Sequence, residues 1–250
     1  MIFQILENGL SLWQNVILLA VMVATVLFSM SIHEYAHGYV SYMLGDDTAK
    51  RMGRLTLNPI KHISPLGLIC MLFCGFGWAK PVPIDARKYR KPKLGTALTA
   101  ISGPIINLLI GIWATATLSM VYFIWANGFN TAMPVLKYVT EPVYQTVYMS
   151  LYIVLYYNLL FAVFNMFVLP PFDGSRVLYA FLPDRIYFGI MRYEKIIMLV
   201  LFILLWTGMF TNFFESFVDV IIRGVSEMVF LENDILCRLI LAILTKGQNI

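Results

Sequence analysis

Four stretches of this chain contain no aspartate, glutamate, lysine or arginine: Asn8 to Ile32, Leu94 to Leu136, Pro142 to Phe172 and Ile196 to Phe214. About 20 predominantly apolar residues carry a helix across the hydrocarbon of a bilayer. Each stretch can therefore supply one crossing, and the spans are expected near 12–44, 97–126, 143–169 and 190–212. Composition agrees: 60% of the residues are hydrophobic and 13% charged, against roughly 25% charged in an average soluble domain. The expected fold class is an all-α polytopic membrane protein with about four to six transmembrane or partly inserted helices.

A fifth uncharged stretch, His62 to Ala79, reads differently. Pro65, Gly67, Gly75 and Gly77 interrupt it, and it runs into Trp78-Ala79-Lys80-Pro81-Val82-Pro83-Ile84-Asp85. Such punctuation disfavours a straight helix, so a small re-entrant or β-like segment is expected near 62–85. Irregular backbone survives at membrane depth only where protein or a wet cavity satisfies it. Pro81 and Pro83 suit an edge strand, since neither has an N–H. Two readings stay open: an edge that accepts an extended peptide by strand addition, or a structural interfacial loop. From Glu215 onward apolar runs alternate with charges. The division expected is thus a core over 1–212 and interfacial or partly inserted helices over 213–250. The N-terminus has no basic region or clear cleavage site and reads as a retained membrane helix.

Basic residues orient the spans. Ten of the 18 lysines and arginines lie between Gly45 and Thr96, and Arg176, Arg185, Arg192 and Lys195 follow Phe172, whereas the connection from Asn127 to Glu141 holds only Lys137. Positive loops stay in the cytoplasm, which puts the N-terminus outside. The run Arg87 to Lys93 then reads as a contact with lipid headgroups; no charged tail points to a nucleic-acid partner. Cys70, Cys74 and Cys237 form no disulfide framework and read as packing residues.

At the inner end of the first span stands His33-Glu34-Tyr35-Ala36-His37. Residues four apart share a helix face, so the two imidazoles can grip one ion, and neutral imidazole suits Zn²⁺. Glu34 is turned about 100° away, close enough to take a proton from water without being a ligand. H-E-x-x-H on a helix is metalloprotease chemistry, and ionisable groups at membrane depth point to function. A catalytic zinc keeps three protein ligands and an open position. Asp173, in Pro170-Pro171-Phe172-Asp173-Gly174, is the expected third: the third span returns to the inner side and ends there. His62, Glu141 and Glu194 compete less well. His62 adjoins Lys61 and reads as solvated or interfacial, Glu141 falls on the outer side, and Glu194 sits among Arg192 and Lys195. Asn107 and Asn165 are polar groups in apolar runs and need partners, which interhelical hydrogen bonds would supply; Asn158 reads as structural. Gly103-Pro104 should kink the second helix. Tyr144, Tyr148, Tyr152 and Tyr156 form a packing stripe reaching the outer aromatic belt.

Taken in order, His33-Glu34-Tyr35-Ala36-His37, Gly77-Trp78-Ala79-Lys80-Pro81-Val82-Pro83, Ser102-Gly103-Pro104-Ile105-Ile106-Asn107 and Phe164-Asn165 with Pro170-Pro171-Phe172-Asp173-Gly174 resemble the site-2 protease family of intramembrane zinc metalloproteases. The resemblance covers about residues 30 to 180. It implies one catalytic Zn²⁺ on His33, His37 and Asp173, with Glu34 as general base. It also implies Asn107 and Asn165 near the site, holding substrate or the oxyanion. One departure is Met166-Phe167-Val168, where the family often has a proline. No stretch has room for a PDZ insertion or an appended CBS-like domain, so a minimal member is expected. Its substrate would be a transmembrane protein cut in or beside its membrane helix, in regulated intramembrane proteolysis, with a homo-oligomer or regulatory membrane partner as further company. The expected location is a prokaryotic plasma membrane with the site toward the cytoplasm. A metal transporter would need further ligands along the spans, and an inactive scaffold would not need Glu34.

Overall fold

The computed structural model describes residues 10–65, 67, 79–126, 134–207 and 216–224. In chain order, α1 (Leu12–Met43) leads to the one-turn helices α2 (Thr48–Arg51) and α3 (Pro59–His62), then to a 3₁₀ turn at Ala86–Lys88. Next come α4 (Pro92–Ile124), α5 (Pro134–Asn165), α6 (Asp173–Tyr179), α7 (Asp184–Met191) and α8 (Glu194–Trp206). A helical stretch over 216–224 ends the described chain.

Three of these helices, through Leu12–Met43, Pro92–Ile124 and Glu141–Asn165, are long and apolar enough to cross a membrane. They fall where the first three uncharged stretches do. The fourth span expected at 190–212 is not found among the described helices. Arg192 and Tyr193 form a turn, α8 follows over Glu194–Trp206, and residues 208–212 lie outside the described residues. The described residues thus hold three candidate spans, and Glu194 and Lys195 open the fourth helix with charge. Of the expected re-entrant segment, the two ends are seen. Ile63 and Ala79 form an isolated antiparallel bridge, and a run that is neither helix nor strand follows to Asp85. Cys70, Cys74, Trp78, Cys237 and most of the expected 213–250 tail lie outside the described residues.

The chain divides into two compact units, one drawn from Met1–Thr25, Ile110–Tyr157 and Asp219–Ile250, the other from Val26–Leu109 and Asn158–Val218. In the first, the buried amide of Gln14 donates to Pro142 O at 3.1 Å and Thr146 Oγ1 at 3.2 Å, satisfying polar groups that lipid would leave stranded. Leu18, Leu118 and Leu155 are buried there. The tyrosine stripe packs as expected: Tyr144 stacks on Trp125 at 4.5 Å between centroids, and Tyr148 lies against Tyr144.

The second unit holds all the candidate site residues. Its polar anchor is Asp46, fully buried just past α1. The carboxylate accepts from the hydroxyls of Ser41 and Thr48, the backbone N–H groups of Thr48 and Asp85, and Lys88 Nζ. Burial pushes that carboxyl up, but these donors more than reverse it and hold it well below the usual range. In this way the segment 85–91 is tied to the end of α1. Tyr89 completes the tie, its hydroxyl 2.8 Å from Ser41 Oγ and 3.2 Å from Thr99 Oγ1 on α4.

Candidate active site

His33 and His37 lie one turn apart on α1, both buried, with their rings edge to face at 4.6 Å. Their Nε2 atoms are 3.0 Å apart. Asp173 Oδ2 reaches both, at 3.0 Å from His33 Nε2 and 3.1 Å from His37 Nε2. Among the described residues these are the only three His, Cys, Asp or Glu side chains grouped so as to hold one metal ion. Residues 140 and 136 positions apart in sequence have met as the turn-and-return of the spans requires.

The aspartate is placed by its neighbours. Phe172 caps α6 in extended conformation, so Asp173 opens the helix, where a negative charge is favoured by the exposed N–H groups. The Phe172 ring packs on Phe164 of α5 at 4.3 Å. Gly174 lies so close to the end of α5 that a Cβ there would strike the carbonyls of Met166 and Phe167; glycine is what lets the aspartate turn fit under α5. Burial raises the Asp173 carboxyl's affinity for its proton, but the His37 and His33 imidazoles more than offset this, and the acid is held well below the usual carboxylate range.

Helix α4 closes the opposite side. His37 Nδ1 donates to Thr99 O at 2.7 Å, which fixes the proton on Nδ1 and leaves Nε2 bare. Gly103 faces the rings: a Cβ would come within 2.5 Å of His33 Cε1 and 2.6 Å of His37 Cε1. Only glycine permits that approach, and α4 continues unbroken through Pro104 beside it. Asn107, 1% exposed, sets its amide Nδ2 3.3 Å from His33 Nδ1. Glu34, beside the pair on α1, accepts the Val82 N–H on its Oε2 at 2.7 Å.

The donor set fits a zinc ion. Three ligand atoms about 2.1 Å from one tetrahedral ion lie about 3.4 Å apart, a few tenths beyond the separations found here. Both nitrogens are of the imidazole type zinc prefers, and His37 is already held in the ligating tautomer.

The remaining sequence candidates stand elsewhere. Asn165 Nδ2 donates to Phe161 O of its own helix at 3.0 Å. His62 is buried, not solvated as expected: its Nε2 meets Thr56 O at 2.8 Å and its carbonyl accepts from Lys80 N at 2.7 Å. In the run 79–85, the N–H groups of Lys80, Val82 and Asp85 are bonded within the chain, and Arg54 Nη2 donates to the carbonyls of Lys80 and Pro81. That favours the structural-loop reading for this run. Glu141 and Glu194 do not belong to the group. Sequence reasoning missed Val82 and Thr99, because their backbone atoms act and side-chain identity carries no signal for that.

Comparison with known proteins agrees with the geometry. The model for peptidase family M50 matches residues 21–208. The YwhC protein of Bacillus subtilis, described as a candidate zinc metalloprotease, is 38% identical over 74% of this chain and 81% of its own length. The zinc metalloprotease MJ0392 of Methanocaldococcus jannaschii is 25% identical over 78% of this chain and 43% of its own. No solved structure matches the chain. The histidine pair, the returning aspartate and a family match over most of the length agree, and the chain belongs to peptidase family M50, as a zinc metalloprotease.

Proposed function

We propose that this membrane metalloprotease hydrolyses a peptide bond in or beside the transmembrane segment of a membrane-protein substrate, as a step in regulated intramembrane proteolysis. The single observation behind this reading is where the metal-type cluster lies. The donor atoms of His33, His37 and Asp173 fall within 4.8 Å of one another, and two of them belong to a helix apolar enough to cross a bilayer. A protease acting on soluble chains has no use for ligands inside such a helix, where ionisable groups are costly.

On this reading His33, His37 and Asp173 hold the zinc, which supplies the Lewis acidity that polarises a carbonyl and acidifies water. Glu34 accepts the proton of the attacking water and returns it to the leaving amine. Val82 N–H holds one oxygen of that carboxylate and leaves the other to move the proton. Asn165, once its amide leaves the Phe161 carbonyl, is the proposed donor to the oxyanion. The proposed location is a prokaryotic plasma membrane with the site toward the cytoplasm, and the concentration of lysine and arginine between Gly45 and Thr96 and after Phe172 supports that side.

Glu34→Gln tests the reading. It keeps the size and polarity of the side chain but cannot accept the proton. Cleavage of a membrane-anchored reporter in vesicles should fall about 10²- to 10⁴-fold while bound zinc is retained. Wild-type cleavage by this variant would sink the mechanism. Comparing membrane proteomes made with active and Glu34→Gln protein would identify substrates, which should accumulate uncut with the variant.

A further inference from the structure

Asn107 carries an unsettled account of protons. It is 1% exposed and its Oδ1 has no hydrogen-bond partner. Buried amide oxygens are nearly always satisfied, and an exception calls for an explanation. Its Nδ2, at 3.3 Å from His33 Nδ1, can only donate. With the amide set this way His33 Nδ1 is the acceptor and the ring proton sits on Nε2; with the amide turned over, Nδ1 donates and Nε2 is bare. The rest of the cluster agrees with the first setting: His33 Nε2 lies 3.0 Å from both Asp173 Oδ2 and His37 Nε2, two acceptors for one N–H, since the His37 proton is committed to Thr99 O.

That tautomer cannot bind metal through Nε2. A ligating Nε2 must be bare, so its proton has to move to Nδ1, where it would point at the amide. A half-turn of the Asn107 amide exchanges Nδ2 for Oδ1 at nearly the same position. The same turn supplies an acceptor for Nδ1–H and gives Oδ1 the partner it lacks, with Nδ2 taking its former place. We infer that Asn107 is a positioning residue for the metal: its amide oxygen receives the His33 Nδ1–H and locks the ligating tautomer, turning over as the ion enters. This rests on the reading of His33 as a ligand. It gives Asn107 a role distinct from holding substrate or oxyanion, and it makes α4 the outer shell for both histidines, Thr99 for His37 and Asn107 for His33.

The test uses the full chain purified in detergent. The zinc dissociation constant is read by competition with a chelator, and the His33 ring nitrogens by ¹⁵N magnetic resonance of histidine-labelled protein. Asn107→Ala should weaken zinc binding about 10- to 100-fold, the usual cost of losing an outer-shell partner. Asn107→Asp, which keeps an acceptor, should bind within about threefold of wild type or tighter. Zinc-loaded wild type should show a protonated, hydrogen-bonded His33 Nδ1. Wild-type affinity in the alanine variant, or equal losses in both variants, would overturn the inference. So would a bare Nδ1 in the zinc-loaded wild type, a measurement that does not depend on any variant folding. His33→Ala is the control that separates the two levels: if it binds zinc as wild type does, the ligand reading itself fails, and this inference with it.

Discussion

Two carboxylates in the same unit, the part-buried Asp173 and the fully buried Asp46, look alike in acidity and differ in what surrounds them. Both are held below the usual carboxylate range against the effect of burial. Asp46 does it with donors: two hydroxyls, two backbone N–H groups and an ammonium converge on its two oxygens. Asp173 has two imidazole nitrogens on one oxygen; the charge of the doubly protonated rings is what holds its acid down, and once His37 is neutral its Nε2 has no proton to give because that ring donates through Nδ1. A carboxylate whose hydrogen-bonding capacity is filled is part of the framework. One that converges with bare nitrogens is a set of lone pairs waiting for a cation. Acidity alone does not separate the two; the count of protons does.

The sharpest way to break this comparison is to exchange which property each aspartate loses. Asp173→Ala should reduce bound zinc to background and cut proteolysis by about 1,000-fold or more, the scale of losing general acid–base and electrostatic catalysis together. Its melting temperature in detergent, measured without zinc, should change little, since no donor is stranded. Full zinc retention in this variant would remove Asp173 from the ligand set.

Asp46→Ala should do the reverse. It strands buried donors, and breaking such a buried charged cluster costs about 3–5 kcal/mol, seen as a large fall in melting temperature. Zinc affinity measured well below the melting temperature should hold. The pH dependence has a definite sign. Asp46 titrates lower in the folded chain than its ordinary 3.8, so its stabilisation is complete above that value and is lost as pH falls toward the folded value. Asp46→Asn should therefore be less stable than wild type at neutral pH, with the gap closing under acid. A gap that stays constant down to the acid limit would show that the charge on Asp46 contributes nothing.

These two residues were unequally legible in the sequence, for a physical reason. His33, Glu34 and His37 stood out because they end a run without charge, where lipid makes every ionisable group expensive. Asp173 followed because a third ligand was required and the spans had to return it to the same side. Asp46 sits in an ordinary polar turn, Gly45-Asp46-Asp47-Thr48, and nothing local distinguishes it from the half-exposed Asp47 beside it. Thr48 two residues on supplies two of its donors, and the others come from Ser41, Asp85 and Lys88, which the fold assembles. The same holds for Val82, whose N–H meets Glu34: backbone groups are identical in every residue, so their use is invisible before the chain folds. For the fourth span, the expected start at 190 lies before the turn at Arg192-Tyr193, because a charge-free run marks where a span can lie and not where its helix begins.

Gly103→Ala asks whether the cluster tolerates any approach from α4. The added carbon would meet His33 Cε1 at 2.5 Å, a contact that real carbons do not make, so the rings or the helix must shift. Overpacking of this kind costs about 1–3 kcal/mol. If that falls on the loaded state, zinc affinity should drop by about 10- to 100-fold, with a smaller change in melting temperature. An effect confined to the melting temperature would mean that the helices absorb the carbon without disturbing the ligands.

The smallest expected effect sharpens the comparison most cheaply. The segment that brings Lys88 into the Asp46 cluster also carries an exposed ion pair, Arg87 Nε to Asp85 Oδ1 at 2.8 Å, with the arginine side chain 90% exposed. Its geometry is as good as that of Lys88 on Asp46, at 3.0 Å. Water and salt, however, screen the first pair and are shut out from the second carboxylate. Arg87→Ala should leave melting temperature and zinc affinity unchanged within error at any salt concentration. Lys88→Met should lower the melting temperature measurably, by leaving the buried Asp46 charge without its cation. Equal effects from the two substitutions would show that distance, not enclosure, decides what a charge contributes in this segment.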